Sequence, residues 1–405
     1  MRIQSFKAWR PVAAAAAEVA SVPYDVVDRA EALREVQAKP LSFLHVTRAE
    51  IDLSEATQPY AEAVYAKARA NFEALRKQGV LVREDEPAFF VYRQEWQGHV
   101  QRGVAACCHI DDYTGGRIKQ HERTRPDKEA DRLRHILALR AHTGLVFLAY
   151  RDESAVDALV RTTEELAPLY DFTAGDGVRH IVWRVGAMRE LTEAFKGVPC
   201  LYIADGHHRA AAAARVAEQL RAQEQKPAGS EEYNWFPAVM FPASQLKILS
   251  YNRCIRDLNG LTEAAFLETV GRRFKLTANA DPTPPGTAQI AMFLGGRWFG
   301  LSWLPERNAE ALAALDVSVL QDRLLCPVLG ITDPRTDKRI EFIGGIRGVT
   351  ELEARVQTGR SAVAFSLAPV TIAQLMTVAD QGKCLPPKST WFEPKLRDGL
   401  LVHTF

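Results

Sequence analysis

Apolar residues recur at helical spacing at Ala61, Val64, Ala68, Phe72 and Leu75, which predicts an amphipathic helix over residues 55–78 with Gly79 as its stop. Residues 88–92 and 103–110 read as two strands, and the Gln97-Gly98 step between them suits a hairpin turn. A very polar stretch, 119–132, then leads into Leu133, Ile136, Leu137 and Arg140 at helical spacing, with Pro126 and Asp127 suited to the helix start. After it the pattern alternates. Residues 145–150 read as a buried strand, 153–169 as a helix, 180–185 and 198–204 as strands, 207–223 as an alanine-rich helix, 225–232 as a loop and 235–241 as a strand. This alternation argues for α/β or mixed α+β layers, and an α+β fold is expected.

Residues 277–288 hold Pro282, Pro284, Pro285 and a glycine, and form the best candidate for a linker or long loop. Strands are expected over 288–294 and 298–303, and a helix over 309–325. Three parts follow from this pattern: an N-terminal α+β part over 1–112, a central part over 113–276 and a strand-rich C-terminal part over 277–405.

Composition changes the picture mainly by exclusion. With 51 basic and 50 acidic side chains the net charge is +1, so no global field draws the chain to nucleic acid or membrane, and an anion site must be built locally. The six cysteines (107, 108, 200, 254, 326 and 384) form no CxxC pair, which argues against zinc ribbons and thioredoxin-like redox chemistry and suits a reducing cytosol. The run from Val12 to Ala17 after Lys7 and Arg10 looks faintly like a signal peptide. Glu18 follows at once, however, and the chain then enters a structured turn at Val22-Pro23-Tyr24-Asp25, so a cytoplasmic protein is expected. No apolar stretch reaches the length of about 18 residues that spans a bilayer.

The sharpest chemical signal is Asp205-Gly206-His207-His208-Arg209 between a strand and a helix. A turn at Gly206 lets the backbone pass close to a ligand, and the first turn of the following helix offers unpaired N–H groups at a positive dipole end. His207 and His208 add donors, and Arg209 can make charge-assisted bonds to a phosphate. Asp205 reads either as a helix cap or as a Mg²⁺ ligand or an orienter of a histidine. A capped helix with surface histidines would give the same pattern. Adjacent histidines also point in different directions on a helix, unlike the i, i+4 pairs of zinc sites.

The polar stretch holds Lys119, His121, Glu122, Arg123, Lys128, Glu129 and Arg132. Carboxylates among cations suit a general base or a metal ligand, and the cations suit a polyphosphate; a solvated, salt-bridged helix start would look alike. His45 and Arg48 end an apolar stretch, and Tyr24 and Asp25 sit in the early turn; these four are candidate substrate contacts. The Gly344-Gly345-Ile346-Arg347-Gly348 run permits close backbone approach or forms a plain turn, and the 385–395 segment around Lys388-Ser389-Thr390-Trp391 suggests a rigid loop that covers a site or packs as a tail. No GxxxxGK[ST], GxGxxG or GxSxG motif occurs, which sets aside P-loop enzymes, dinucleotide dehydrogenases and triad hydrolases.

Taken in order, VPYDVV, SFLHVTRAEIDL, the 119–132 cluster, YIADGHHRAAAA, LQDRLLCPVLGITDPRTDKR, FIGGIRG and PPKSTWFEPKL resemble a widespread family of long prokaryotic proteins carrying a domain of unknown function. Its DGHHR element resembles the phosphate-binding motif of the ParB/sulfiredoxin superfamily, whose free serine kinases move phosphate from ADP, ATP or pyrophosphate to L-serine. The resemblance implies a ParB/sulfiredoxin-like core with extra N- and C-terminal α+β parts. Sulfiredoxins carry a nucleophilic cysteine where this chain has His207, so sulfinic-acid reduction is not expected. ParB proteins bind CTP and DNA, but no helix-turn-helix or basic stripe is evident here.

The resemblance implies a phosphate donor held at Gly206–Arg209 with Mg²⁺ on Asp205, and a free amino acid as acceptor. Lys128, Arg123 or Arg132 would spread the transition-state charge, and Glu129 or Glu122 would take the hydroxyl proton. The alternative is a nucleotide-binding regulatory module of the same superfamily without turnover.

Overall fold

A computed structural model describes residues 1–224 and 229–405, which form two compact units. The first comprises residues 1–120, 124–246 and 394–405, and the second 121–123 and 247–393. The fold is α+β. No helix among the described residues is long and apolar enough to cross a membrane.

The first unit is organised on a mixed nine-stranded sheet. Its strands are β1 (Phe90–Trp96), β2 (His99–His109), β3 (Ile118–Lys119), β4 (Val146–Tyr150), β5 (Tyr170–Thr173), β6 (Arg179–Arg184), β7 (Leu201–Asp205) and β8 (Trp235–Pro242), with Ile3–Gln4 added beside β2. The order is β3-β7-β4-β8-β2-β1-β6-β5. The pairs β3·β7 and β4·β8 are parallel and the other neighbours antiparallel. The expected hairpin is present: Trp96 pairs with His99, and Gln97 and Gly98 take positive φ of 48° and 77°. Both residues in that conformation match the twist of the flanking strands.

Three helices position the polar segments of this unit: α1 (Glu62–Lys77), α2 (Pro126–Leu139) and α3 (His207–Gln223). Helix α1 buries Val64, Ala68, Phe72 and Leu75, the apolar stripe seen in the sequence, and starts only after Pro59. Helix α2 opens on Pro126, where the missing N–H breaks no intrahelical bond. Helix α3 buries Ala210, Ala212, Ala213, Val216, Ala217 and Leu220 in the core shared with Leu148, Leu201, Ile203 and Ala238 of the sheet. Its small side chains let the helix axis lie close to the sheet, and α2 packs along it.

The second unit carries a six-stranded antiparallel sheet of β9 (Tyr251–Ile255), β10 (Lys275–Ala278), β11 (Gln289–Leu294), β12 (Arg297–Ser302), β13 (Ile340–Gly344) and β14 (Val363–Leu367), in the order β10-β12-β11-β14-β9-β13. The proline-bearing 277–288 segment joins β10 to β11 inside this unit and is a long loop rather than a linker.

The structure departs from the sequence reading elsewhere. The helix expected over 309–325 starts at Asp316 and widens into a π-turn at Gln321–Leu325. Burial explains the late start. Residues from Leu315 to Leu320 are buried, whereas Ala313 and Ala314 are exposed, and alanine propensity alone does not sustain so short a helix. The helix expected over 153–169 is Ser154–Glu164. Part of the 225–232 loop, 225–228, lies outside the described residues. The units also interleave segments that read as three consecutive parts, because β1 and β2 share one sheet with β7 and the last twelve residues return to it.

Candidate functional site

Strand β7 reaches its end through a bulge. Ile203 pairs with Leu148 but Asp205 pairs with Phe147, so Ala204 is an extra residue that re-aims Asp205. Gly206 follows with φ 92° and ψ 28°, a left-handed conformation that L side chains resist, and α3 begins at His207. The first-turn N–H groups of α3 have no acceptor within the helix and point past this turn, as in anion sites at helix starts.

Arg209 turns inward. It is 8% exposed, and its NH1 donates to the Leu145 carbonyl oxygen. Its NH2 lies 3.5 Å from Asp205 Oδ2, and NH1 lies 3.9 Å from Asp398 Oδ1. Burial opposes the guanidinium charge, but Asp205, Asp25 and Asp398 overcome it and hold the pKa above its ordinary value. Asp205 is also 3.6 Å from Lys395 Nζ. Burial alone would raise its pKa, yet Lys395, Arg209, His207 and the Gly206 N–H outweigh that and hold the carboxyl well below the usual range. Asp205 is therefore ionised, as a metal ligand or a charge partner must be.

His207 is buried, at 5% exposure. His208 Nε2 accepts a hydrogen bond of 3.0 Å from the Arg125 N–H, so that ring fastens the loop before α2 to the start of α3. In this state the proton of a neutral His208 sits on Nδ1.

Behind the turn lies a small pocket, with room for about one water molecule, whose wall includes Tyr24, Arg132, His142, Thr143, Arg209 and Asp398. The Arg132 guanidinium stacks 4.0 Å above the Tyr24 ring and is held by Asp131 at 2.8 Å. Asp131 in turn accepts a 3.0 Å bond from the Tyr65 hydroxyl on α1. Asp398 is 2% exposed, and neither carboxylate oxygen has a hydrogen-bond donor among the described residues. Burial pushes its pKa up to about 7 against the pull of Arg209.

Lys395 and Asp398 are the site residues that sequence reasoning missed. They come from the chain's last segment, which buried amides tie to the sheet. Gln94 Nε2 donates to the Lys395 carbonyl oxygen at 2.8 Å, and Gln101 Nε2 donates to Gln94 Oε1 at 2.9 Å. Asp398 N–H donates to the Ser21 carbonyl at 2.9 Å and Ser21 N–H returns the bond at 3.2 Å. The only sequence signal was a dense Pro-Lys-Trp segment ending at Lys395.

The other predicted residues are dispersed. Lys119 on β3 pairs in register with Tyr202, and its Nζ lies 5.8 Å from that ring. Lys128 Nζ donates to the exposed Tyr60 hydroxyl at 3.0 Å. Glu129 accepts a bond from Thr124 and lies 3.5 Å from Arg215, two turns into α3. His45 Nδ1 is 2.7 Å from Asp52, and Arg48 donates to the Tyr24 carbonyl oxygen at 3.3 Å while pairing with Glu50 at 2.8 Å. Both brace the early turn rather than line the pocket, whereas Tyr24 does line it. Asp25 is exposed. His121, Glu122 and Arg123 group with the second unit, where His121 Nε2 lies 3.1 Å from the Thr390 hydroxyl.

A family model described as "Protein of unknown function (DUF1015)" matches residues 3–318. Among solved structures, a free serine kinase in complex with AMP is 14% identical, covers 72% of this chain and 86% of its own, and superposes with a TM-score of 0.36. A conserved hypothetical protein from Pyrococcus furiosus is 15% identical over 73% of this chain and 93% of that one, with a TM-score of 0.36. SbnI with a C-terminal truncation from Staphylococcus aureus is 12% identical over 73% and 86%, with a TM-score of 0.37. No curated protein matches the chain.

Proposed function

We propose that this chain, which belongs to the DUF1015 family, is a small-molecule phosphotransferase of the free serine kinase type. It would carry phosphate from ADP, ATP or pyrophosphate to the hydroxyl of L-serine, on a core of ParB/sulfiredoxin type. The observation that carries the reading is the β7–Gly206–α3 turn: a helix start behind a left-handed glycine, flanked by Lys395 and Arg209 and an ionised Asp205.

In this reading the donor's phosphates sit on the α3 N-terminus. The serine oxygen attacks the terminal phosphorus, the bond to the donor's bridging oxygen breaks, and the hydroxyl proton passes to a carboxylate. Such catalysis is mostly positioning and electrostatics. Lys395 and Arg209 hold Asp205 and the turn in place, with Arg123, Lys128 and Arg132 as further candidates to neutralise charge. Asp205 offers one ionised carboxylate, which suits a Mg²⁺ that takes its remaining ligands from phosphates and water. Bound there, Mg²⁺ would supply charge neutralisation on the donor. Glu122 and Glu129 remain the proposed bases.

One observation favours the second reading, a nucleotide-binding regulatory module. Glu129 is engaged by Arg215 and Thr124 two turns from the start of α3, so its use as a base requires those contacts to break. Incubating the protein with each donor, Mg²⁺ and L-serine, and following O-phosphoserine by ³¹P NMR, separates the two. Product formation supports the kinase. Stabilisation by a nucleotide without product supports the module.

A further inference from the structure

Three buried polar side chains stand in register across the sheet of the first unit. His180 on β6 pairs with Gln94 on β1, and Gln94 pairs with Gln101 on β2. Residues paired directly on adjacent strands share a face, so the three form one transverse row. All three are fully buried. A sheet interior ordinarily calls for apolar residues at such positions, because a polar group taken out of water must find a partner there.

Each member finds it on the chain's last segment. Gln101 Nε2 donates to the Pro394 carbonyl oxygen at 3.5 Å, Gln94 Nε2 donates to that of Lys395 at 2.8 Å, and His180 Nε2 accepts from Arg397 Nε at 3.2 Å. The segment therefore crosses the strands in the order β2, β1, β6. An imidazole nitrogen that accepts from a guanidinium carries no proton, so the proton of His180 sits on Nδ1, 2.8 Å from the Tyr92 hydroxyl. Burial and the nearby Arg397 keep this ring neutral. Arg397 is itself buried, and its far nitrogen reaches the exposed Asp176.

These bonds bracket the two tail residues of the site. Lys395 lies between the Gln101 and His180 contacts with its Nζ 3.6 Å from Asp205, and Asp398 follows Arg397 directly, 3.9 Å from Arg209. Apolar side chains of the same shape could fill the sheet as well, but they would not select one register of the tail. A slip of one residue would place Pro394 or Leu396 where Lys395 meets Asp205.

We infer that His180, Gln94, Gln101 and Arg397 are positioning residues for the phosphate turn: they fix the register of the last segment so that Lys395 falls on Asp205. The inference rests on the phosphotransferase reading for what the turn holds. The seating of Lys395 is independent of any ligand and is tested separately.

The first measurement is trace reductive methylation of the full chain, with each lysine quantified by mass spectrometry. Lys395, 14% exposed and paired with Asp205, should react more slowly than Lys196, which is 63% exposed. Arg397→Met and Gln94→Met should each raise the reactivity of Lys395 at least about tenfold, the scale of one lost buried hydrogen bond, with Lys196 unchanged. Arg397→Met leaves the sheet's own side chains intact and decides the matter even where Gln94→Met fails to fold. The second measurement is calorimetric titration with pyrophosphate. Arg397→Met should weaken binding about tenfold in the wild-type background and less than about twofold once Lys395→Met is present, since a residue that acts through Lys395 has nothing left to act on. Unchanged protection of Lys395 in Arg397→Met overturns the inference, as does an equal loss of pyrophosphate affinity in both backgrounds. A wild-type chain that binds no pyrophosphate sinks the phosphate reading instead, and the lysine reactivities then uphold or overturn the positioning by themselves.

Discussion

The guanidinium of Arg209 occupies the space that a β-carbon on Gly206 would need: such a carbon would stand 3.0 Å from Nε and 3.2 Å from Cζ. One residue thus serves two requirements, a left-handed turn and room for a buried cation beneath it. Gly206→Ala is expected to lose about 1–2 kcal/mol from the left-handed backbone alone. It should also displace Arg209 and weaken pyrophosphate binding. Urea denaturation and calorimetry check both; wild-type stability would show that the turn tolerates a side chain.

Arg209 links the turn to the pocket, so its loss should be felt in both rate and stability. Arg209→Ala leaves Asp398 buried without the cation 3.9 Å away, and breaking a buried pair typically removes about 3–5 kcal/mol. Arg209→Lys keeps the charge but not the fork that reaches the Leu145 carbonyl and both aspartates. If the chain is a phosphotransferase, folded Arg209→Lys should lose activity by about 10²–10³, the range seen when a positioned donor is removed. Full activity in the lysine variant would exclude a role for Arg209 in the reaction.

Asp398 predicts a particular dependence of stability on pH. Burial raises its folded-state pKa to about 7 from the ordinary aspartate value of 3.8. The folded chain therefore holds this proton where the unfolded chain has released it, and stability falls as pH rises from about 4 to about 7. Asp316 in the second unit, raised to about 6 by burial, acts in the same direction. Asp205 works oppositely, since its stabilisation is present at neutral pH and lost only as pH falls below the ordinary carboxylate range. Asp398→Asn should flatten the decline between pH 4 and 7, leaving the Asp316 share. An identical pH profile for variant and wild type would show that Asp398 is already satisfied when ionised.

The local part of the site was legible because its signals are local. A strand, a glycine and an alanine-rich helix follow one another at 201–223, and periodicity together with glycine's conformational freedom suffices to read them. The inward turn of Arg209 was not legible, since a polar residue in the first turn of a helix reads as exposed. Lys395 and Asp398 lie nearly two hundred residues from the turn and reach it because Gln94 and Gln101, buried amides on the central strands, donate to the carbonyl oxygens of the last segment. Hydrogen bonds between positions so far apart leave no mark on periodicity or composition. The same holds for Glu129, whose partner Arg215 is fixed by the packing of α2 on α3.

That packing sets up the test of the proton acceptor. At roughly 1.5 Å per residue, Arg215 lies about 12 Å along α3 from His207, and Glu129 is held at that level. A structural Glu129 should lose little when made Gln, because the amide still accepts from Thr124 and the ion pair with Arg215, 44% exposed on the arginine side, is of the weak kind. A Glu129 that serves as base should instead lose kcat by about 10²–10⁴ with KM little changed, and with the acidic limb of the pH–rate profile removed. Measuring kcat, KM and that limb for Glu129→Gln and Glu122→Gln in parallel assigns the role. The Arg215 pairing leads us to expect the small effect at Glu129, and a collapse of kcat there would mean that the pair opens when substrate binds.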